Sequence, residues 1–108
     1  DKLRSSKSQA RSEARVPASL PVFNAARPEQ DGVTLDLSPS GASVLLDHKL
    51  DDCAQLFLSL PWDYLELQVD VMRVRQEDDL WLHGVKFHSL GKSERWTVRE
   101  FIREFMET

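Results

Sequence analysis

Two arginines four residues apart, Arg11 and Arg15, close a polar N-terminal stretch, and "DLSPSG" at residues 36–41 then sets Asp36, Ser38 and Gly41 between two apolar runs. A guanidinium is a planar fork that pairs bidentately with phosphate or carboxylate. The four-residue spacing would make a facing pair only on a helix. Val16 precedes Pro17 and so avoids helical geometry, which leaves a bending loop able to bring both forks around one object. A turn by itself accounts for Pro39, Ser40 and Gly41. It does not require Asp36 and Ser38 two residues apart, which an extended strand places on one face. The chemistry on offer is a cationic clamp opposite a carboxylate and a hydroxyl. The local alternative is an Asx- or Ser-turn closed by Gly41.

Charge points the same way. Residues 1–15 carry Lys2, Arg4, Lys7, Arg11 and Arg15 against Asp1 and Glu13, a net +3 that leaves −7 on the rest of a chain whose total is −4. An acidic total argues against general binding of DNA or RNA. A basic arm on an acidic body suggests contact with an anion, external or on the body itself, although charge alone favours a solvated leader that merely happens to be basic. The 108 residues suit one domain with a single core. No apolar run approaches the roughly 20 residues of a membrane span. The start at Asp1 and the lack of a signal-peptide pattern suggest a piece of a longer protein. Cys53 alone permits no internal disulfide and is expected as an inert buried thiol in a reducing compartment.

An enzyme finds little support. His48, His83 and His88 have no metal-ligand spacing with Cys53, no nucleophile–base pairing stands out, and a Gly-rich phosphate loop is lacking. No catalytic or metal-binding residue is therefore expected. His83 is expected as a barrel side chain and "DHKLDD" as a solvated loop.

The elements that must position these groups read as short strands. Residues 1–15 form an expected flexible arm, rich in serine. "VPASLPVF" alternates, but Pro17 and Pro21 allow only an edge or irregular strand. "NAARPEQDG" reads as a loop. Strands follow at "VTLDLS", "ASVLL", "AQLFLSLP", "YLELQVDVMRVR" and "LWLHGVKF", the last with Gly84 marking a bulge or close approach. In the fourth of these, Leu65, Leu67, Val69, Val71 and Arg73 fall on one face. The period then changes. Val98, Phe101, Ile102 and Phe105 recur at helical spacing, with Ser93 as expected N-cap, so a C-terminal helix is predicted over about residues 92–106. That stripe and Trp62, Trp81 and Trp96 are assigned to core packing. Residues 16–108 are expected to form an all-β, small antiparallel barrel with one terminal α-helix packed on it.

The pairing of "RSEAR" with "DLSPSG", followed by "HGVKF", a short loop and an amphipathic helix, resembles the PilZ family of bacterial cyclic di-GMP receptor domains. The resemblance covers residues 11 to about 105. It implies a six-stranded barrel, cyclic di-GMP as regulatory ligand, and no catalysis. It also implies Arg11, Arg15, Asp36, Ser38 and Gly41 as ligand-binding residues, with Arg4, Lys7 and Ser40 as additional candidates. The residue chemistry suits such a ligand, which presents two phosphates and two guanines. Arginine can take a phosphate, pair with guanine O6 and N7, or stack on a base. Asp36 can accept from guanine N–H groups, Ser38 can donate, and Gly41 can admit backbone to the ligand or supply a positive φ. Ala10 departs from members with a basic residue before the first arginine, which leaves stoichiometry open. The expected output is arm position, signalled to an attached or partner effector such as a membrane glycosyltransferase. "VPASLPV" after the arm resembles the PilZ region of bacterial cellulose synthase catalytic subunits. The implied location is the bacterial cytoplasm, as a free protein or the cytosolic part of an inner-membrane protein. The alternative is a PilZ-like protein-interaction domain that binds no nucleotide.

Overall fold

The alternation Leu65, Leu67, Val69 places apolar side chains on one face of a strand, and in the computed structural model all three are buried. Residues 14–88 and 90–107 are described, 28–31 by their backbone alone. Arg4, Lys7 and Arg11 lie outside the described residues. The elements run β1 (Pro21–Asn24), β2 (Arg27–Leu37), β3 (Gly41–Leu46), β4 (Cys53–Ser59), β5 (Tyr64–Glu77), β6 (Leu80–His88) and α1 (Lys92–Glu107). The strands close into an antiparallel barrel in the order β1-β2-β3-β6-β5-β4, with β4 returning to β1. The expected all-β barrel with a C-terminal helix is what forms.

Val22, Val44, Leu46, Leu56, Leu58, Val69 and Val85 fill the interior. Burying each such side chain contributes about 1.5–3 kcal/mol, the main driving force for closure. The helix buries Val98, Phe101 and Ile102 into the same core. Its position is marked by Trp62 of the β4–β5 turn, whose ring lies 5.9 Å from that of Phe101. The helix begins at Lys92, one residue before the expected cap. Gly91 stands at the N-cap position, its carbonyl accepting the Arg95 N–H at 3.0 Å.

Several expectations are corrected. "NAARPEQDG" is no loop: the chain turns at Ala25 and Ala26, and β2 starts at Arg27. The Asn24 side chain holds this turn, accepting the Ala26 N–H at 3.0 Å. "PVFN" is a strand paired on both sides, to β2 and β4, because closure removes its edge. Pro21, lacking an N–H, sits at its first position, where a missing donor is tolerated. Cys53 is exposed at the start of β4 rather than buried. Trp62 and Trp96 are 50% and 64% exposed, so neither is a core residue, and Phe105 is 37% exposed at the end of the helix stripe. Leu50, inside "DHKLDD", is buried. His83 is fully buried in β6, as expected of a barrel side chain, and the Leu50 N–H donates to its Nε2 at 3.0 Å.

Candidate functional site

Arg15 is brought to Asp36 by the irregular segment before β1. Val16 and Leu37 exchange two backbone hydrogen bonds of 2.9 Å. Buried Thr34 ties the next turn of chain down. Its hydroxyl donates to the Ala18 carbonyl at 2.6 Å and accepts the Leu20 N–H at 2.9 Å, while the Thr34 N–H donates to the Leu20 carbonyl. The Ala18 carbonyl and the Leu20 N–H of this irregular segment are thereby satisfied. With Val16 pinned, the Arg15 guanidinium donates to Asp36 Oδ1. The Ser43 N–H donates to the same oxygen at 3.0 Å. Both bonds use Oδ1, so Oδ2 is uncommitted among the described residues. The pair is partly exposed, and its direct contribution to stability is about 0–1 kcal/mol.

Asp36 faces outward because β2 slips. Thr34 pairs with Val44 but Asp36 pairs with Ser43, so Leu35 is the extra residue of a bulge. A second slip on β5 leaves Val71 opposite Val85 and Arg73 opposite Gly84, with Met72 as the extra residue. The result is a row across four strands: Asp36, Ser43, Gly84 and Arg73. Three strand spacings separate its ends, roughly 14 Å along the sheet. An open groove of about 430 Å³ lies over it. Arg15, Asp36, Ser40 and Ser43 line one side, and Met72, Arg73 and Lys86 the other.

Ser38 and Gly41 stand differently from Asp36. Ser38 is 1% exposed, and its hydroxyl is spent inside the turn, donating to the Gly41 carbonyl and accepting the Gly41 N–H, both at 3.2 Å. The Ser38 N–H donates to the same carbonyl at 2.8 Å. This is the local turn that the sequence offered as the alternative, and it holds the β2–β3 corner from which Asp36 projects. Gly41 borders the groove, but its close approach is to β6: a Cβ there would lie 2.3 Å from the Val85 carbonyl oxygen. No glycine among the described residues has a positive φ, so Gly41 is needed for space rather than handedness. Arg15, Asp36, Gly41 and Ser40 thus share one groove, Ser38 supports it from beneath, and Arg11 lies outside the described residues.

Sequence reasoning missed Lys86, and it placed Arg73 on the face of Leu65 to Val71. The bulge at Met72 moves Arg73 to the outside, and strict alternation gives no sign of it. The signal that existed was Gly84, a strand glycine with charged residues two positions away at Lys86 and across the ladder at Arg73. Ser43, whose N–H orients Asp36, carried no sequence signal. Among the described residues no cluster of histidine, cysteine and carboxylates could hold a metal ion. No described helix is long and apolar enough to cross a membrane.

A bulged barrel with this groove has known counterparts. The family model described as "PilZ domain" matches residues 9–104. Among solved structures, the fold is similar to the Bacillus subtilis inhibitor of motility MotI/DgrA, with TM-score 0.74, 16% identity, and coverage of 91% of this chain and 52% of that one. The chain thus spans about half the length of that protein. It is also similar to the PilZ domain of YcgR from Escherichia coli, solved with c-di-GMP, with TM-score 0.70, 13% identity, and coverage of 92% and 93%. The PilZ domain of CeSA from a cellulose-synthesizing bacterium gives TM-score 0.57, 22% identity, and coverage of 86% and 98%. No curated protein sequence matches. With nearly its whole length matched by the family model, the chain belongs to the PilZ domain family, whose members are regulatory binding domains rather than catalysts.

Proposed function

We propose that this domain binds cyclic di-GMP in the groove between Asp36 and Arg73 and relays occupancy to an effector. The observation that carries the reading is Arg15 seated on Asp36 at the mouth of that groove. Asp36 fixes the guanidinium, which costs binding less entropy than ordering a free side chain. Asp36 Oδ2 is left to accept from a guanine edge, and the exposed Arg15 fork is left to meet a phosphate or stack on a base. Arg11, four residues earlier, supplies a second guanidinium. Ser38 acts by holding the turn and Ser40 lines the wall. Ligand closure of the arm bearing Arg11 is the signal, and Arg4 and Lys7 add charge to it.

The effector is a partner or attached protein such as a glycosyltransferase of cellulose synthesis, and the domain works in the bacterial cytoplasm, free or as the cytosolic part of an inner-membrane protein. Similarity to the PilZ domain of CeSA supports this assignment. A protein-interaction role without nucleotide is the second reading, favoured by similarity to an inhibitor of motility.

Calorimetric titration with cyclic di-GMP tests the proposal. Saturable binding is expected, and Arg15→Ala should weaken it about ten- to hundredfold, the worth of a charged hydrogen-bonding pair. An Arg15→Ala variant that binds as tightly as wild type would overturn the role of Arg15. A wild type that gives no heat would leave the protein-interaction reading.

A further inference from the structure

Arg73 and Lys86 have no hydrogen bond or ion pair among the described residues, whereas Arg75, Arg95 and Arg103 each find an acceptor. Asp70 stands opposite Lys86 in the ladder, but its Oδ2 meets His88 Nδ1 at 3.2 Å and it forms no ion pair with Lys86. Both cations border the groove on the side away from Arg15. Arg73 faces it only because of the bulge at Met72, and a bulge gives up regular pairing to aim a side chain.

Between them lies Gly84. It pairs with Arg73 across the ladder, and Lys86 is two residues along the same strand and so on the same face. A Cβ at Gly84 would meet only the Arg73 Cβ at 3.8 Å, an ordinary contact, and no described glycine has a positive φ. Packing and backbone geometry therefore both allow a side chain where glycine weakens a strand. Gly41 is the opposite case, excluded from carrying a Cβ by the Val85 carbonyl. What Gly84 provides is open floor beside two cations that form no ion pair among the described residues.

We infer that Arg73 and Lys86 form a second phosphate-binding site on the barrel wall, with Gly84 kept bare to let the ligand reach it. The inference rests on the reading of the groove as a cyclic di-GMP site and adds to it. One phosphate is met from the Arg15 side, and the other is met from β5 and β6. The barrel wall then recognises charge as well as shape, and a ligand with one phosphate would forfeit half of the contact.

The test is calorimetry with cyclic di-GMP on wild type, Arg73→Ala, Lys86→Ala, Gly84→Val and Arg99→Ala. Arg73→Ala and Lys86→Ala should each weaken binding about five- to fiftyfold and make it less sensitive to salt. Gly84→Val should weaken binding at least about tenfold while the melting temperature holds or rises, because valine favours a strand. A purely structural glycine would show the reverse, a lower melting temperature with affinity retained in the folded protein. Arg99→Ala removes an exposed charge on α1 and should leave affinity unchanged. If wild type binds and the three groove variants bind equally well, the inference is overturned. An equal loss in Arg99→Ala also overturns it, since net charge would then suffice. A wild type that does not bind would defeat the reading beneath it instead.

Discussion

Seven consecutive pairs, from Cys53↔Asp70 to Ser59↔Tyr64, join β4 to β5 without interruption, whereas the ladders under the groove slip at Leu35 and again at Met72. The regular ladder does what its hydrophobic alternation demands: Leu56 and Leu58 face Leu67 and Leu65 across it, and all four are buried. In the slipped region each bulge turns a charged residue outward that alternation would have placed elsewhere. The β1–β2 ladder also slips, between Phe23 and Asn24, but the two slips beside the groove are the ones that aim Asp36 and Arg73, and the unbroken β4–β5 ladder only packs.

The contrast can be broken most forcefully from the regular side. Leu56→Ala, on β4, should destabilise the domain by about 2–5 kcal/mol in chemical denaturation, through lost burial and a residual cavity. The fraction still folded should bind cyclic di-GMP as wild type does. A parallel loss of intrinsic affinity would mean that packing and recognition are not separable.

Thr34→Val crosses the two regions and should cost less, about 1–3 kcal/mol. It leaves the Ala18 carbonyl and the Leu20 N–H buried without their hydroxyl partner. Because Thr34 anchors the segment that delivers Arg15, affinity in the folded protein should fall as well, several-fold. Loss of stability with affinity intact would show that Val16 and Leu37 suffice to place Arg15.

The smallest effect concerns His83, the inward neighbour of Gly84 on β6. Burial pushes its pKa below the ordinary 6.5, and nearby His48 and Lys49 act in the same direction. The unfolded chain therefore takes up the proton first as pH falls. The contribution of neutral His83 is complete above about pH 6.5 and is lost progressively below it. Thermal midpoints measured between pH 7.5 and 5.5 should fall more steeply in wild type than in His83→Gln. Equal slopes would assign the acid sensitivity to other groups.

How much of this was legible beforehand follows the same division. β3, β5, β6 and the helix announce themselves by period, and Asp36 beside a turn drew attention by residue type. The charge split only left open an anion on the body of the domain, and the direct meeting of Arg15 with Asp36 was not read from it. Leu35 and Met72 look like ordinary members of alternating strands, so the faces of Asp36 and Arg73 could not be read from the pattern. Polar Arg27–Asp31 reads as loop because a hairpin arm needs no apolar face. Trp62 and Trp96 mislead because an aromatic at a strand turn or a helix start can remain half in water. Ser38 shows a different limit. A hydroxyl chosen for a turn and one chosen for a ligand have the same letter, and only burial separates them.

β5 extends beyond β4, whose last pair with it is Cys53↔Asp70. From Met72 to Glu77 this strand has β6 on one side and no described strand on the other. Such an exposed ladder invites a foreign strand to add itself, and Arg73, Arg75 and Glu77 set charges along it that discourage intermolecular sheet growth. Self-association into aggregates thus meets a guarded margin.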